Sequence, residues 1–369
     1  MKNHIGKLFG LTTAVAALSS SAQIVTMTAL SSFGASGWDA PGSITDLTAG
    51  STERGLAYAD GDLFLVSRNG GNSVQVLNPT TGSDIGSLNV TGISGGAFAV
   101  NAAAAGGNGV LYVGNLTTSA TTAFTVYEYS NPLNFSAAPT VAYSGNPLGG
   151  GTRLGDDLAA TGSGASTELA AGYGSGSSGY ELINPSAASA TAISFTGSPP
   201  NAGDFRLGIT FTDSSHVLGT QGSSLYRYSS FSGSTGTLLA SPAIPDPAGA
   251  TADRLLAYTV LDGVPLLAVQ STGDSHVSLY NATDPTAPVW IASLNNTTGT
   301  LAANGNATGE LAWGGVTING DGSVSEDLYA MSTGQGIQAF DITVTPEPAT
   351  FSLLAIGLGA VVCRKKFSR

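Results

Sequence analysis

An all-β fold, a single propeller of six four-stranded blades, is predicted by three features of this 369-residue sequence. Short apolar runs are punctuated by Asn-Pro, Asp-Gly, Gly-Gly and Thr-Gly turn signals, no stretch keeps a long helical period, and one pair of strand-like runs recurs six times. The first run of each pair is Leu63–Val66, Val110–Val113, Glu168–Ala171, His216–Gly219, Leu266–Val269 and Asp327–Ala330. The second, after a Gly/Ser/Thr turn, is Val74–Leu77, Val126–Tyr129, Tyr180–Ile183, Leu225–Tyr228, Val277–Tyr280 and Ile337–Phe340. Successive copies start 45 to 60 residues apart, the length of a four-stranded blade. A seven-bladed ring and a pair of β-sandwiches are the alternatives.

The first repeat displays all four strands, as Gly55–Tyr58, Leu63–Val66, Val74–Leu77 and Ile85–Val90. The last repeat stops at Val344, after its third strand. A ring left one strand short can close by borrowing one from the other end of the chain, and Ile24–Phe33 is free to serve. The domain plan is therefore a leader at 1–22, a propeller at 23–344 and a tail at 345–369.

Composition excludes several functions. The propeller segment carries six arginines, no lysine and 23 acidic residues, a formal charge of −17. A nucleic-acid surface needs clustered Lys and Arg to displace counterions, and an anionic membrane surface needs the same. Neither partner is expected. The one cysteine is Cys363, so no internal disulfide can form. With His216 and His276 alone in the body, the usual zinc and copper ligands are missing, and no metal or cofactor is expected.

Both ends read as addresses. Lys2 and Lys7 precede the apolar Leu8–Leu18, and Ser20-Ser21-Ala22 offers small residues for cleavage after Ala22, the pattern of a secretory signal peptide. At the other end Thr345-Pro346-Glu347-Pro348 precedes the apolar run Phe351–Cys363 and the basic Arg364-Lys365-Lys366-Phe367-Ser368-Arg369. Pro346 and Pro348 disfavour helix around Glu347 and leave an extended, accessible peptide. The apolar run predicts a short transmembrane helix whose basic end stays on the cytoplasmic side.

This order of motif, apolar run and basic tail resembles the PEP-CTERM sorting signal of Gram-negative bacteria. The resemblance implies recognition of Pro346, Glu347 and Pro348 by a membrane protease-transpeptidase, exosortase. It also implies transient inner-membrane insertion, removal of the tail, and release to the cell surface or an extracellular matrix. The body resembles an uncharacterised family of secreted bacterial propeller-like proteins. That likeness rests on Ser51–Tyr58, Val66-Ser67-Arg68, Leu88–Gly96, Gly109–Tyr112 and Asn115–Thr118, and it implies the fold without an activity.

Five groups of residues are candidates for chemistry. Gly92-Ile93-Ser94-Gly95-Gly96 matches a nucleophile elbow in letters, but that motif needs a strand-to-helix turn and a histidine base, so a turn between blades is expected. Asn319-Gly320-Asp321-Gly322-Ser323 has the middle of a calcium loop without its flanking ligands, and a hairpin turn accounts for it. Asp156-Asp157 is expected on the surface of so acidic a body. Glu53-Arg54 and Ser67-Arg68 place two of six arginines in the first repeat, where they either pair within the blade or orient a carboxylate or sugar acid.

The expected function is that of a non-catalytic exported protein, binding an exopolysaccharide or a surface protein, or serving as scaffold. The alternative is a propeller hydrolase or lyase acting on extracellular polysaccharide, which would show two carboxylates in an aromatic-walled central cleft.

Overall fold

The strands pair into antiparallel meanders, as the recurring runs predict. The computed structural model describes residues 23–346 apart from Ser175, Ser198, 222–224 and 245–251. The chain starts with β1 (Ile24–Ala29) and β2 (Trp38–Asp39). A first meander follows: β3 (Glu53–Ala59), β4 (Asp62–Ser67), β5 (Ser73–Leu77) and β6 (Asp84–Ser87). The second is β7 (Phe98–Ala105), β8 (Leu111–Leu116), β9 (Phe124–Tyr129) and β10 (Thr140–Gly145).

One eight-stranded sheet holds the next two meanders. These are β11 (Ala159–Thr161), β12 (Glu168–Gly172), β13 (Tyr180–Asn184) and β14 (Ser189–Phe195), then β15 (Gly208–Asp213), β16 (His216–Thr220), β17 (Arg227–Ser232) and β18 (Thr235–Ala240). Only a short parallel contact joins the halves, Ser194 opposite Thr235 and Phe195 opposite Gly236. Gly236 permits it, since a Cβ there would stand 2.9 Å from Ile193 and 3.0 Å from Phe195. A further sheet is β19 (Asp253–Leu261), β20 (Val264–Ser271), β21 (Val277–Asn281) and β22 (Val289–Leu294). The last contains β23 (Gly309–Ile318), β24 (Val324–Ser332) and β25 (Gly336–Thr345), with β1 laid beside β25. The N-terminal strand thus completes the final sheet, as its spare position in the sequence predicts. β2 also pairs with β25, Trp38 opposite Gln338.

Turn chemistry fixes the registers. Asp60-Gly61 and Asp262-Gly263 both have positive φ (49° and 97°, 49° and 79°), and each joins a first strand to a second through a two-residue hairpin. Asp-Gly is favoured there because both central residues of such a turn need left-handed backbone.

The middle strands are apolar on both faces because each sheet packs against two neighbours. Leu63, Phe64, Leu65 and Val66 of β4 are all fully buried, whereas the outer β6 is mostly exposed. Apolar clusters among the described residues fill the gap between each meander and the next. Another cluster, with Phe33, Leu56, Leu65, Tyr329 and Met331, joins the last sheet to the first. The first strands β3, β7, β11, β15, β19 and β23 neighbour one another in that order, and β23 returns to β3. The arrangement is propeller-like, with four-stranded sheets around a shared axis.

Close approach of the inner strands depends on glycine. A Cβ on Gly208 would lie 1.9 Å from the Arg254 carbonyl oxygen, so β15 and β19 meet backbone to backbone. Gly208→Ala is expected to destabilise the fold by about 1–3 kcal/mol, the usual cost of overpacking. Gly320→Ala, whose added methyl meets nothing within 4 Å, should stay within about 0.5 kcal/mol of the parent. Urea unfolding of the two variants checks the contrast; equal midpoints would show that the strands separate freely.

Candidate functional site

A cavity of about 200 Å³ runs between the first strands. Its wall is assembled from corresponding short segments, such as Leu56-Ala57-Tyr58 of β3, Ala103–Ala105 of β7 and Leu256-Ala257-Tyr258 of β19. Small residues dominate because backbones crowd the axis. Along β3 and β19 the segment runs from an arginine at one end (Arg54, Arg254) to a tyrosine at the other (Tyr58, Tyr258), four residues or about 13 Å further on. On β23 Trp313 stands at the aromatic end.

Outside the cavity lining, toward the starts of the first strands, five of the six body arginines gather. Arg54 and Arg254 are the second residues of β3 and β19, Arg206 lies just before β15 and Arg153 ahead of β11. Arg68 follows β4 directly, and antiparallel pairing of Glu53 with Ser67 returns it to the start of β3. Arg153 grips Asp156 with a fork, Nε to Oδ2 at 2.5 Å and Nη2 to Oδ1 at 2.6 Å, and Arg206 Nε stands 3.8 Å from the same carboxylate. Arg54 donates to the Thr308 hydroxyl and Arg254 to the Gln221 carbonyl at 2.7 Å. Arg68 lies over the Phe98 ring, 3.6 Å from its centroid, and donates to the Ser51 carbonyl at 3.3 Å.

These partners leave much unsatisfied. Arg54 Nε, Arg68 Nη1, Arg206 Nε and Arg254 Nε are buried without a hydrogen bond. Burial lowers the pKa of Arg54, Arg206 and Arg254, and burial reinforced by the Arg54 charge brings Arg68 down to about 10. Arg153 moves the other way, held charged by its bond to Asp156. The carboxylates that act on this group are Asp156 and, for Arg54, Glu53.

Asp156 and Asp157 are not the surface carboxylates expected from the sequence: they are 3% and 2% exposed. Burial is tolerated because each is bound. Asp157 accepts from the Leu158 and Ile209 amides, both at 2.7 Å, and from Glu310, which lines the cavity. Burial pushes Glu310 well above the usual carboxylate range, with the Asp157 charge adding to it, and burial brings Asp157 up to about 6. The pair ties the starts of β11, β15 and β23 together.

The Glu53–Arg54 ion pair inside a blade, one of the two expectations, is not formed. Adjacent strand residues point to opposite faces: Glu53 accepts from the Gly334 amide at 2.6 Å and from Thr52, while Arg54 turns to Thr308. Ser94 lies in the connection between β6 and β7, with a strand and no helix after it, and its backbone exchanges bonds with the Tyr127 hydroxyl. His216 bonds Asp213 at 2.9 Å, away from any serine elbow. Asn319–Ser323 forms the β23–β24 turn, in which the Asp321 carboxylate is taken by the amide and hydroxyl of Ser323. Pro346 follows β25 as the last described residue of the tail; Glu347, Pro348, Ala22, the leader and the C-terminal apolar run lie outside the described residues. Among the described residues no helix is long and apolar enough to cross a membrane.

Sequence reasoning found two of the five arginines. The signal it missed is a pentapeptide, Arg-x-Leu-Ala-Tyr, at Arg54–Tyr58 and again at Arg254–Tyr258, with Glu310-Leu311-Ala312-Trp313 as a degenerate third copy. Aligning first strands rather than the longer middle strands would have revealed it.

No known family model matches the chain, and no curated protein matches it. Solved structures do. A DUF4623 family protein from Bacteroides eggerthii superposes with a TM-score of 0.60 at 15% identity, over 80% of this chain and 72% of that one. The major allergen Mala s 1 of Malassezia sympodialis does so with a TM-score of 0.51 at 13% identity, over 80% of this chain and 93% of that one. At such identities the likeness is one of fold, and this chain shares the propeller-like fold of both.

Proposed function

We propose that the chain is an exported, non-catalytic propeller of six four-stranded blades that binds a ligand or serves as scaffold at the cell surface or in an extracellular matrix. The eight-stranded sheet counts as two blades fused at β14 and β18, which makes six with the sheet closed by β1. The observation that carries the binding reading is the gathering of five arginines at the starts of the first strands in a body of charge −17. Its tail carries the PEP-CTERM-like signal, so exosortase is the processing partner and inner-membrane insertion is transient. Pro346, Glu347 and Pro348 are the recognition residues, and the leader is removed after Ala22.

One observation favours the rival enzyme: Glu310 shares the cavity wall with Tyr58, Tyr258 and Trp313. Against it, Glu310 is the one acidic residue among those that line the cavity, whereas a glycosidase of the usual kind needs two carboxyl groups flanking the bond.

Fractionation and intact mass from the native host test the reading. The wild-type protein should leave the membrane truncated near Pro346–Pro348, while Glu347→Ala stays full-length apart from its leader. Retention of both in the inner membrane would make the body a tethered periplasmic domain and end the sorting claim.

A further inference from the structure

We infer that the arginine cluster at the starts of the first strands binds a carboxylate, presented by an acidic sugar or by a small organic acid. The inference deepens the binding reading above and rests on it.

Charge placement is the first reason. A body of charge −17 with six arginines lowers its energy by spreading them among its carboxylates; here Arg227 is placed so against Asp204 at 2.6 Å, and Arg153 against Asp156. Arg153 nonetheless shares its place with Arg54, Arg68, Arg206 and Arg254, and their like charges oppose one another there. Asp156 engages both nitrogens of Arg153's fork, and together with Glu53, whose charge reaches Arg54, it sets two carboxylates against five guanidiniums. Four of the five keep a buried nitrogen with no acceptor.

Geometry supplies the second reason. The site already shows what it grips: Arg153 and Asp156 form the planar two-bond fork that matches a carboxylate. Every basic group in the body is arginine rather than lysine, as fork recognition requires and simple charge attraction does not. Gly174 packs between two members, since a Cβ there would lie 2.7 Å from Arg206 Cδ and 2.8 Å from Arg153 Cδ. A larger residue would drive them apart. Arg153 and Arg206 keep 34% and 23% of their side chains exposed, which leaves a face that a ligand can reach.

Calorimetry on the full chain in a mild non-ionic detergent tests this. Probes are an oligogalacturonate, glucuronic acid, citrate, a neutral glucan of equal length and inorganic phosphate. A carboxylate should bind, more weakly as salt rises, and the glucan should not. Preference for the oligogalacturonate or glucuronic acid over citrate identifies the acidic sugar as source; the reverse identifies the organic acid. Arg206→Gln should weaken binding about tenfold or more, the loss of one charge-assisted hydrogen bond, with Arg206→Lys recovering little. Arg68→Gln is the second variant, and an unchanged melting temperature shows that both are folded. Equal binding of glucan and galacturonate, tighter binding of phosphate than of any carboxylate, absence of carboxylate binding, or an unaltered Arg206→Gln would each overturn the inference. Assay of new reducing ends separates the two claims. Cleavage of the oligogalacturonate would end the non-catalytic reading and leave the carboxylate site standing, whereas glucan binding without carboxylate binding would do the opposite.

Discussion

Phe33→Ala is expected to cost about 3–5 kcal/mol of stability, the range for emptying a fully buried aromatic site. Phe33 lies between β1 and β2 with no exposed surface, its ring 5.7 Å from that of Tyr329 in β24. Tyr329 in turn stacks on Tyr58 of β3 at 6.2 Å and donates to the Pro79 carbonyl at 3.0 Å. The N-terminal segment, the last sheet and the first sheet therefore share one apolar cluster. Its loss should loosen β1 from β25 before the other sheets feel it. Hydrogen exchange is the check: β25 amides should lose protection while those of β8 and β12 keep theirs. A uniform loss across all sheets, or a change below about 1 kcal/mol, would show that the N-terminal segment is not what holds the ring closed.

Stability should also be greater at pH 5 than at pH 8, by about 3–5 kcal/mol from a few buried carboxyl groups. Burial raises Asp39 and Asp157 to about 6 and Glu326 to about 7, and it raises Glu310 with them. A carboxyl group whose folded pKa lies above its unfolded one binds its proton more tightly when folded. Its contribution is complete below about pH 4 and is lost as the pH climbs through 6 and 7. Asp213, Asp284 and Asp321 are lowered by their hydrogen bonds and oppose this only in stronger acid. Thermal melts across the range measure the slope. Glu310→Gln keeps a donor toward Asp157 without a proton to lose, so it should flatten the curve on the alkaline side. A curve that rises toward pH 8, or one that Glu310→Gln leaves untouched, would refute the assignment.

The legible part of the fold was the middle of each meander. β4, β8, β20 and their partners are buried on both faces, so they read as unbroken apolar runs bounded by turns, and the sequence spacing located nearly all of them. The borrowed strand was legible for a simpler reason, that the last repeat ended one strand short. Outer strands were faint: β6 covers Asp84–Ser87 rather than the longer Ile85–Val90, because exposure on its outward side removes the apolar pattern. The site was mostly hidden. Its arginines come from five places between positions 54 and 254, and the Arg-Leu-Gly that Arg153 and Arg206 share is too short to announce a common destination. Burial of Asp156 and Asp157 is invisible to net charge, which describes a whole surface, while two acidic residues need only a fork and two amides to be taken inside.

The closure by β1 has a mechanical consequence. β25 is the last strand of the propeller-like body, and the residues that follow it carry the tail. It lies between β24 on one side and β1 on the other. A pull on the tail directed along β25 must slide that strand past two ladders of hydrogen bonds at once, which break together rather than one after another. Tension applied at the C-terminus is thus met in shear, by the element best placed to resist it.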